Sequence, residues 1–234
     1  PNSGYYLGHI RHLCRTGWVV VFPYYQAGGQ ISRFMHTNAV RSIKDFLQQA
    51  FARRGVEIDH DRFAIIGHGA GAVIAANVAA SSDYFGLPVP LALMLVMPHQ
   101  RDLKLLDLTG ISRRSRMILL SGDRTDETVA AVAREIFYAA DRVKTENKAF
   151  ITALSDFYGQ PPLVADELAP LSPELPEYER FIVENRYDFV NLFREKFHAH
   201  TLRTRHIDAF DWNAVFRLFD ALAYAVFTLD CDLT

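Results

Sequence analysis

The residues that bear most directly on chemistry lie in Gly67-His-Gly-Ala-Gly71, between the apolar run Phe63-Ala-Ile-Ile66 and the small-residue stretch Ala72–Ala80. Strand, sharp glycine-rich turn, then helix has two chemical uses. In one, G-x-S-x-G, small residues let the backbone turn tightly and lift a nucleophilic side chain above the sheet. In the other, glycines let a pyrophosphate approach a helix N-terminus. Gly67, Gly69 and Ala72 satisfy that second pattern, G-x-G-x-x-A, in form. It also wants an acid about 20 residues on, at the end of the next strand. Here Asp83 falls before the next strand, which closes with Met97-Pro98-His99. The first use therefore fits better, and it points to further residues. After Met117–Ser121 comes Ser121-Gly-Asp-Arg-Thr-Asp-Glu-Thr-Val129, which places Asp123 and Asp126 where a sheet delivers side chains to its C-terminal edge.

The elements that must position these residues are legible from apolar spacing. Trp18–Phe22, Phe63–Ile66, Leu91–Met97, Met117–Ser121 and Phe150–Leu154 are nearly continuous apolar runs, as expected of strands buried on both faces. Between them, helices are expected at Leu7–Arg15 (ended by Gly17), from a Ser32 cap to about Arg54 (stopped by Gly55), at Ala72–Ala80 and at Glu127–Ala140. Alternating strands and helices imply an α/β fold with a mainly parallel sheet covered on both faces. Five prolines between Pro161 and Pro176 mark a loop-rich crossing. A helical stretch rich in aromatic residues follows, and Trp212–Phe227 closes the chain with Val215, Leu218, Phe219, Leu222 and Val226 on one face.

Composition limits the partners. The 234 residues are half apolar and 22% charged, with a formal net charge of −2. That balance argues against a protein devoted to nucleic acid or to an anionic membrane surface. The most apolar runs, Ala64–Ala80 and Leu87–Pro98, fall short of the roughly 18 unbroken apolar residues that a membrane-spanning helix needs. Residues Pro1–His9 lack the basic start and apolar stretch of a signal peptide. Cys14 and Cys231 are too few for a disulfide framework, and whether they pair is left open.

Taken together, these residues resemble the α/β-hydrolase family, esterase-like members in particular, over essentially the whole sequence. Gly67-His-Gly-Ala-Gly71 is similar to the family's G-H-S-A-G elbow, and Asp126, ahead of Val129, is similar to its acid. Leu154 to Pro170, with Ala165-Asp-Glu167, resembles a segment that ends Ala-Asp-His in the family, where the histidine is catalytic. Asp208-Ala-Phe-Asp-Trp212 and Leu218–Leu222 resemble the closing helix. The resemblance implies a single α/β-hydrolase-like domain over residues 1–234, with a helical insertion at about 171–207. It also implies strands and an oxyanion-forming His-Gly-Gly loop ahead of the first helix. No His-Gly-Gly occurs in this sequence, so those parts either precede it or are absent, and a sheet beginning at Trp18 could fold only with something to cover its exposed edge.

Two departures decide the functional expectation. Gly69 stands at the nucleophile position without a side chain, and Glu167 stands at the histidine position. Serine-type hydrolysis needs an oxygen nucleophile and a base oriented by the acid, and a carboxylate does not shuttle protons near neutral pH as imidazole does. One inactivating change explains Gly69 but not Glu167, so two independent losses fit a natural pseudo-hydrolase better. The leading expectation is a catalytically degenerate fold acting as a binding or assembly component. The first alternative is a carboxylic-ester hydrolase whose serine is replaced by Gly69; the second is a nucleotide-cofactor-binding oxidoreductase using Gly67–Ala72. No cofactor and no metal site is expected.

The remaining candidates have plainer readings. His68 is expected to be a packed neighbour of the nucleophile position. His198 and His200 form an H-x-H pair with no obvious third ligand, and His206 is an imidazole that another loop could bring in. Asp123, Asp126 and Glu167 could together hold a hard cation, although no calcium-loop pattern accompanies them. Asp126 also suits a helix cap. Tyr178–Phe197, through Phe181, Phe189 or Phe193, either packs on the domain or docks a partner chain or a second copy; a small apolar ligand at the elbow pocket is the other partner expected.

Overall fold

The computed structural model describes residues 3–26, 34–100, 103–173 and 206–229. Four parallel strands, β1 (Ala64–His68), β2 (Ala92–Val96), β3 (Arg116–Gly122) and β4 (Lys148–Ala153), lie side by side in chain order. Ile66 of β1 stands opposite Met94 of β2, Met94 opposite Ile118, and Ile118 opposite Ala149. Because side chains alternate along a strand, each continuous apolar run feeds two cores. Leu93, Leu95, Met117 and Leu119 point into one, and Met94, Val96, Ile118 and Leu120 into the other.

Helices close both faces. The first core is covered by α2 (Met35–Arg54), α3 (Ala70–Ala80) and α5 (Glu127–Ala139), while the short α4 (Ser82–Phe85) links α3 to the next strand. Residues Ala72 to Ala79 are all buried, and their small side chains let α3 press close to β1 and β2. The second core is covered by α1 (Leu7–Arg15) and by a closing helix, α6, made of Asp211–Phe216, Arg217–Tyr224 and Ala225–Leu229. The outer thirds of α6 run in wider π-type turns. His9 and His12 of α1 both stack on Phe216 of α6, and His12 Nε2 lies 2.8 Å from Asp220 Oδ2. The α/β class, the parallel sheet and the two-sided cover match the sequence expectation.

One expected strand is corrected. Trp18–Phe22 forms no β-ladder; residues 18–26 have no regular secondary structure. A strand exists only by pairing, and neighbouring strands sit about 4.8 Å apart. A cavity of about 810 Å³ instead separates this run from β1. The run still alternates as a strand does. Trp18 and Val20 pack into the second core, Trp18 against Phe219 and Phe227, beside Ala64 and Ile66 of β1. Among the described residues the sheet therefore begins at β1.

Candidate functional site

The elbow forms where β1 meets α3. Gly69, the residue ahead of α3, has φ +58° and ψ −126°, a conformation that glycine reaches freely and other residues reach only under strain. Its backbone is pinned: the Gly69 N–H donates to the Val96 carbonyl at 3.0 Å, and the His99 N–H donates to the Gly69 carbonyl at 3.1 Å. The two outer glycines have steric reasons. A Cβ at Gly67 would strike the Gly71 carbonyl and the Ala72 backbone, and one at Gly71 would lie 3.3 Å from the Tyr25 hydroxyl. A Cβ at Gly69 would meet nothing within 4 Å, so it would project into open space.

His68 is tied on both ring nitrogens. Its Nε2 lies 2.9 Å from the Glu167 carbonyl, which can only accept, so Nε2 carries the proton. Nδ1 then accepts from the Tyr6 hydroxyl at 2.8 Å. Desolvation lowers its pKa to about 4 against the weaker pull of the Glu167 carbonyl, and the ring is neutral near pH 7. Burial also raises the Tyr6 phenol above its ordinary value. Neither group is charged, and neither is free to take a proton from a residue at position 69.

Asp126 and Glu167 meet at the start of α5. The Asp126 carboxylate accepts from the Thr128 N–H at 2.8 Å, capping the helix, and the Glu167 carboxylate accepts from the Asp126 N–H at 2.7 Å. Hydrogen bonds from Thr128, helped by nearby His99, hold the Asp126 carboxyl below the usual carboxylate range. The Glu167 loop is fixed from β3: Arg124 N–H donates to the Ala165 carbonyl at 3.1 Å, and a Cβ at Gly122 would collide with that same carbonyl. Asp123 is spent on structure, accepting from the Ser155 hydroxyl at 2.6 Å and the Ser155 N–H at 3.0 Å.

The fold thus places Gly69 and Asp126 past the C-terminal ends of β1 and β3, with Glu167 bonded to the Asp126 N–H by its side chain and to His68 by its backbone carbonyl. It does not bring His206 there: no bond joins that exposed residue to any of the three among the described residues. Sequence reasoning passed over His99 and Tyr6. His99 follows Met97, a buried residue at φ +45°, and the turn sets its backbone against Gly69. The available signal was position, one residue past Pro98 at the C-terminal end of a strand. The dinucleotide alternative finds Asp83 on α4, away from the end of β2. Among the described residues no group of three or more His, Cys, Asp or Glu is placed to hold a metal ion. No described helix is long and apolar enough to cross a membrane. Cys14 is a free, exposed thiol. Ser32, Tyr178–Phe197 with Phe181, Phe189 and Phe193, His198, His200 and Cys231 lie outside the described residues.

No protein-family model matches this sequence, and no curated protein matches it. Solved structures do. One is carboxyl esterase 2 of the mycorrhizal fungus Tuber melanosporum, at 14% identity and a TM-score of 0.51, covering 66% of this chain and 63% of that one. Another is a fungal esterase of Rhizomucor miehei, at 15% identity and a TM-score of 0.50, covering 79% and 68%. The chain spans less than two thirds of the Tuber enzyme's length. At such identities the likeness bears on architecture, and with the parallel sheet and its helices it establishes the α/β-hydrolase fold.

Proposed function

We propose that this chain is a catalytically degenerate member of the α/β-hydrolase fold that acts as a binding or assembly component. The observation that carries the reading is the pairing of Glu167 with the Asp126 N–H beside a Gly69 that keeps the elbow backbone. The turn that presents a nucleophile is intact, but it has no side chain to present. The residue in the base position is held as a second helix cap, and the adjacent imidazole is neutral and doubly hydrogen-bonded. General-base activation of an oxygen nucleophile needs both missing parts. Fold likeness to esterases does not supply them.

The test is turnover of a short-chain nitrophenyl ester, together with labelling by a fluorophosphonate directed at activated serines. The expected result is a rate equal to buffer and no label. Turnover that the fluorophosphonate abolishes would overturn the reading.

A second reading has one observation in its favour. The space ahead of Gly69 accommodates a side chain, as an ester hydrolase whose serine is replaced by Gly69 would require. A form of the protein carrying serine at 69 would then hydrolyse esters with no further change. A nicotinamide-dependent oxidoreductase using Gly67, Gly69 and Ala72 is the third reading, and it has no acid at the end of β2. Saturable binding of NADH to the chain would revive it.

A further inference from the structure

We infer that the closed loop after β4, residues 157–162 with the carboxylates around it, docks an arginine-bearing segment of a partner polypeptide. This names a partner class for the binding role proposed above and rests on that reading. Beyond β4 the chain turns back on itself, and Asp156 and Leu163 exchange two backbone hydrogen bonds of 2.8 Å each. The closure is fixed further by the Tyr158 N–H, which donates to Asp156 Oδ1 at 2.8 Å, and by Ser155, whose hydroxyl and N–H both donate to Asp123. The residues it closes off, Phe157-Tyr-Gly-Gln-Pro-Pro162, carry no charge and are all exposed. Phe157 is 57% exposed and Tyr158 wholly so, and Leu154 just ahead of them is 76% exposed. Apolar side chains displayed on a pinned backbone are pre-organised for contact, because little ordering is left to do on binding.

Charge selects the partner. The stretches 123–127 and 154–167, joined by the Ser155–Asp123 and Glu167–Asp126 bonds, hold Asp123, Asp126, Glu127, Asp156, Asp166 and Glu167 against Arg124 alone. That is an excess of five negative charges in a sequence whose net charge is −2. It repels an anionic membrane or a nucleic-acid backbone and attracts a cationic segment. The chain's own Arg124 shows which cation the surface suits. Its guanidinium carbon lies 5.2 Å from the centre of the Phe157 ring, and its Nε lies 3.9 Å from Asp123 Oδ2. A guanidinium is planar and weakly hydrated, so it gains from an aromatic face and a carboxylate together; an ammonium is a compact, strongly hydrated point charge. The exposed Tyr158 ring offers a second such face. Asp156 and Glu167 each use one oxygen on a backbone N–H, so Asp156 Oδ2 and Glu167 Oε2 remain acceptors for the forked N–H groups of an incoming arginine.

The test titrates a fluorescein-labelled peptide, Gly-Arg-Leu-Arg-Gly-Leu-Arg-Gly, onto the 234-residue chain while NMR maps the amides it perturbs. Expected are saturable binding and shifts confined to residues 123–127 and 154–167. The same peptide with lysine for every arginine should bind about tenfold more weakly, because it keeps the charge and loses the stacking and the fork. Phe157→Ser combined with Tyr158→Ser should weaken binding of the arginine peptide about tenfold, with the urea midpoint close to the parent's. If that variant does not fold, Tyr158→Ser alone, at a fully exposed position, still decides. Equal binding of the lysine peptide, equal binding by the variant, shifts outside the two stretches, or no binding at all would each overturn the inference. Dimerisation of the parent that the variant abolishes would assign the loop to a second copy and overturn it as well. Fluorophosphonate-sensitive ester turnover in the same preparation would overturn the binding reading alone and leave the peptide result standing.

Discussion

Glu167 accepts a hydrogen bond from the backbone N–H of Asp126 at 2.7 Å, so the residue that the family resemblance sets at the base position holds, by the main chain, the residue that it sets at the acid position. Asp126 meanwhile caps α5 through the Thr128 N–H. Two carboxylates thus share one helix N-terminus, where exposed N–H groups and the helix dipole favour negative charge. This arrangement is sound as structure and unsuited to proton transfer.

Removing that contact should be felt as a small loss of stability. Glu167→Ala is expected to cost about 1 kcal/mol, because one partly exposed N–H loses its acceptor. Glu167→Gln keeps a carbonyl acceptor and should cost less. Urea titrations of the three proteins check the order. An unchanged midpoint for Glu167→Ala would show that the contact contributes nothing.

Gly69→Ser alone should not restore hydrolysis. The new hydroxyl would have room, but His68 is engaged on both nitrogens and Glu167 supplies no imidazole. Turnover of a nitrophenyl ester should stay at least ~100-fold below the roughly 1 per second at the low end of enzymes. Adding Glu167→His should raise it above the single variant. If the single variant already turned over at enzyme-like rates, another base would be acting. His99, whose N–H donates to the Gly69 carbonyl and which bears electrostatically on Asp126, would be the first suspect, ahead of His206.

The elbow glycines should differ in their tolerance. Gly67→Ala drives a methyl into the Gly71 carbonyl and the Ala72 backbone, and an overpacked contact of that kind costs about 2–4 kcal/mol. Gly69→Ala meets no atom but must hold a positive φ, at a cost of about 1–2 kcal/mol. Denaturant midpoints should therefore fall further for Gly67→Ala than for Gly69→Ala. The reverse order would mean that the turn can open around residue 67.

Acid should unfold the protein partly through His9. Burial, with a smaller push from His12, lowers its pKa in the folded state to about 4, against an ordinary value of 6.5. The unfolded chain therefore binds a proton that the folded chain refuses between those values. Stability from this group is complete above pH ~6.5, declines as the pH falls through that window, and changes no further below about 4. The full loss is about 3 kcal/mol for a shift of this size. His68 adds in the same direction but lines the cavity beside β1 and should add less. His9→Phe keeps the stack on Phe216 and should flatten the decline. Urea midpoints at pH 7 and 4.5, for the parent and the variant, measure the difference. Parallel declines would assign the acid sensitivity elsewhere.

Much of this architecture could be read from the chain because its local signals agree. β2 and β3 are buried on both faces, and their apolar runs say so; Gly17 and Gly55 end their helices at positive φ. Trp18–Phe22 misled for an instructive reason. Its apolar alternation reports burial between two helical layers, which is real, whereas a ladder depends on a neighbour that sequence spacing does not reveal. Gly69 and Glu167 stood out as departures from a pattern, and the structure supplied what a pattern lacks: the open space at one and the Asp126 N–H held by the other. His99 was hidden because its link to the elbow runs through its backbone, which residue identity does not report.

The backbone of Gly69 also has a consequence for the proposed absence of catalysis. Glycine holds φ +58° without strain, so this chain keeps the elbow shape free of the conformational cost that a side chain brings. Stability and catalysis pull in opposite directions at such a turn. A serine placed here alone would destabilise the fold and, with Glu167 still capping α5, gain no turnover in exchange. On the reading proposed here, hydrolysis therefore has no favourable single step: positions 69 and 167 must change together, and each change made first lowers the stability of the present structure.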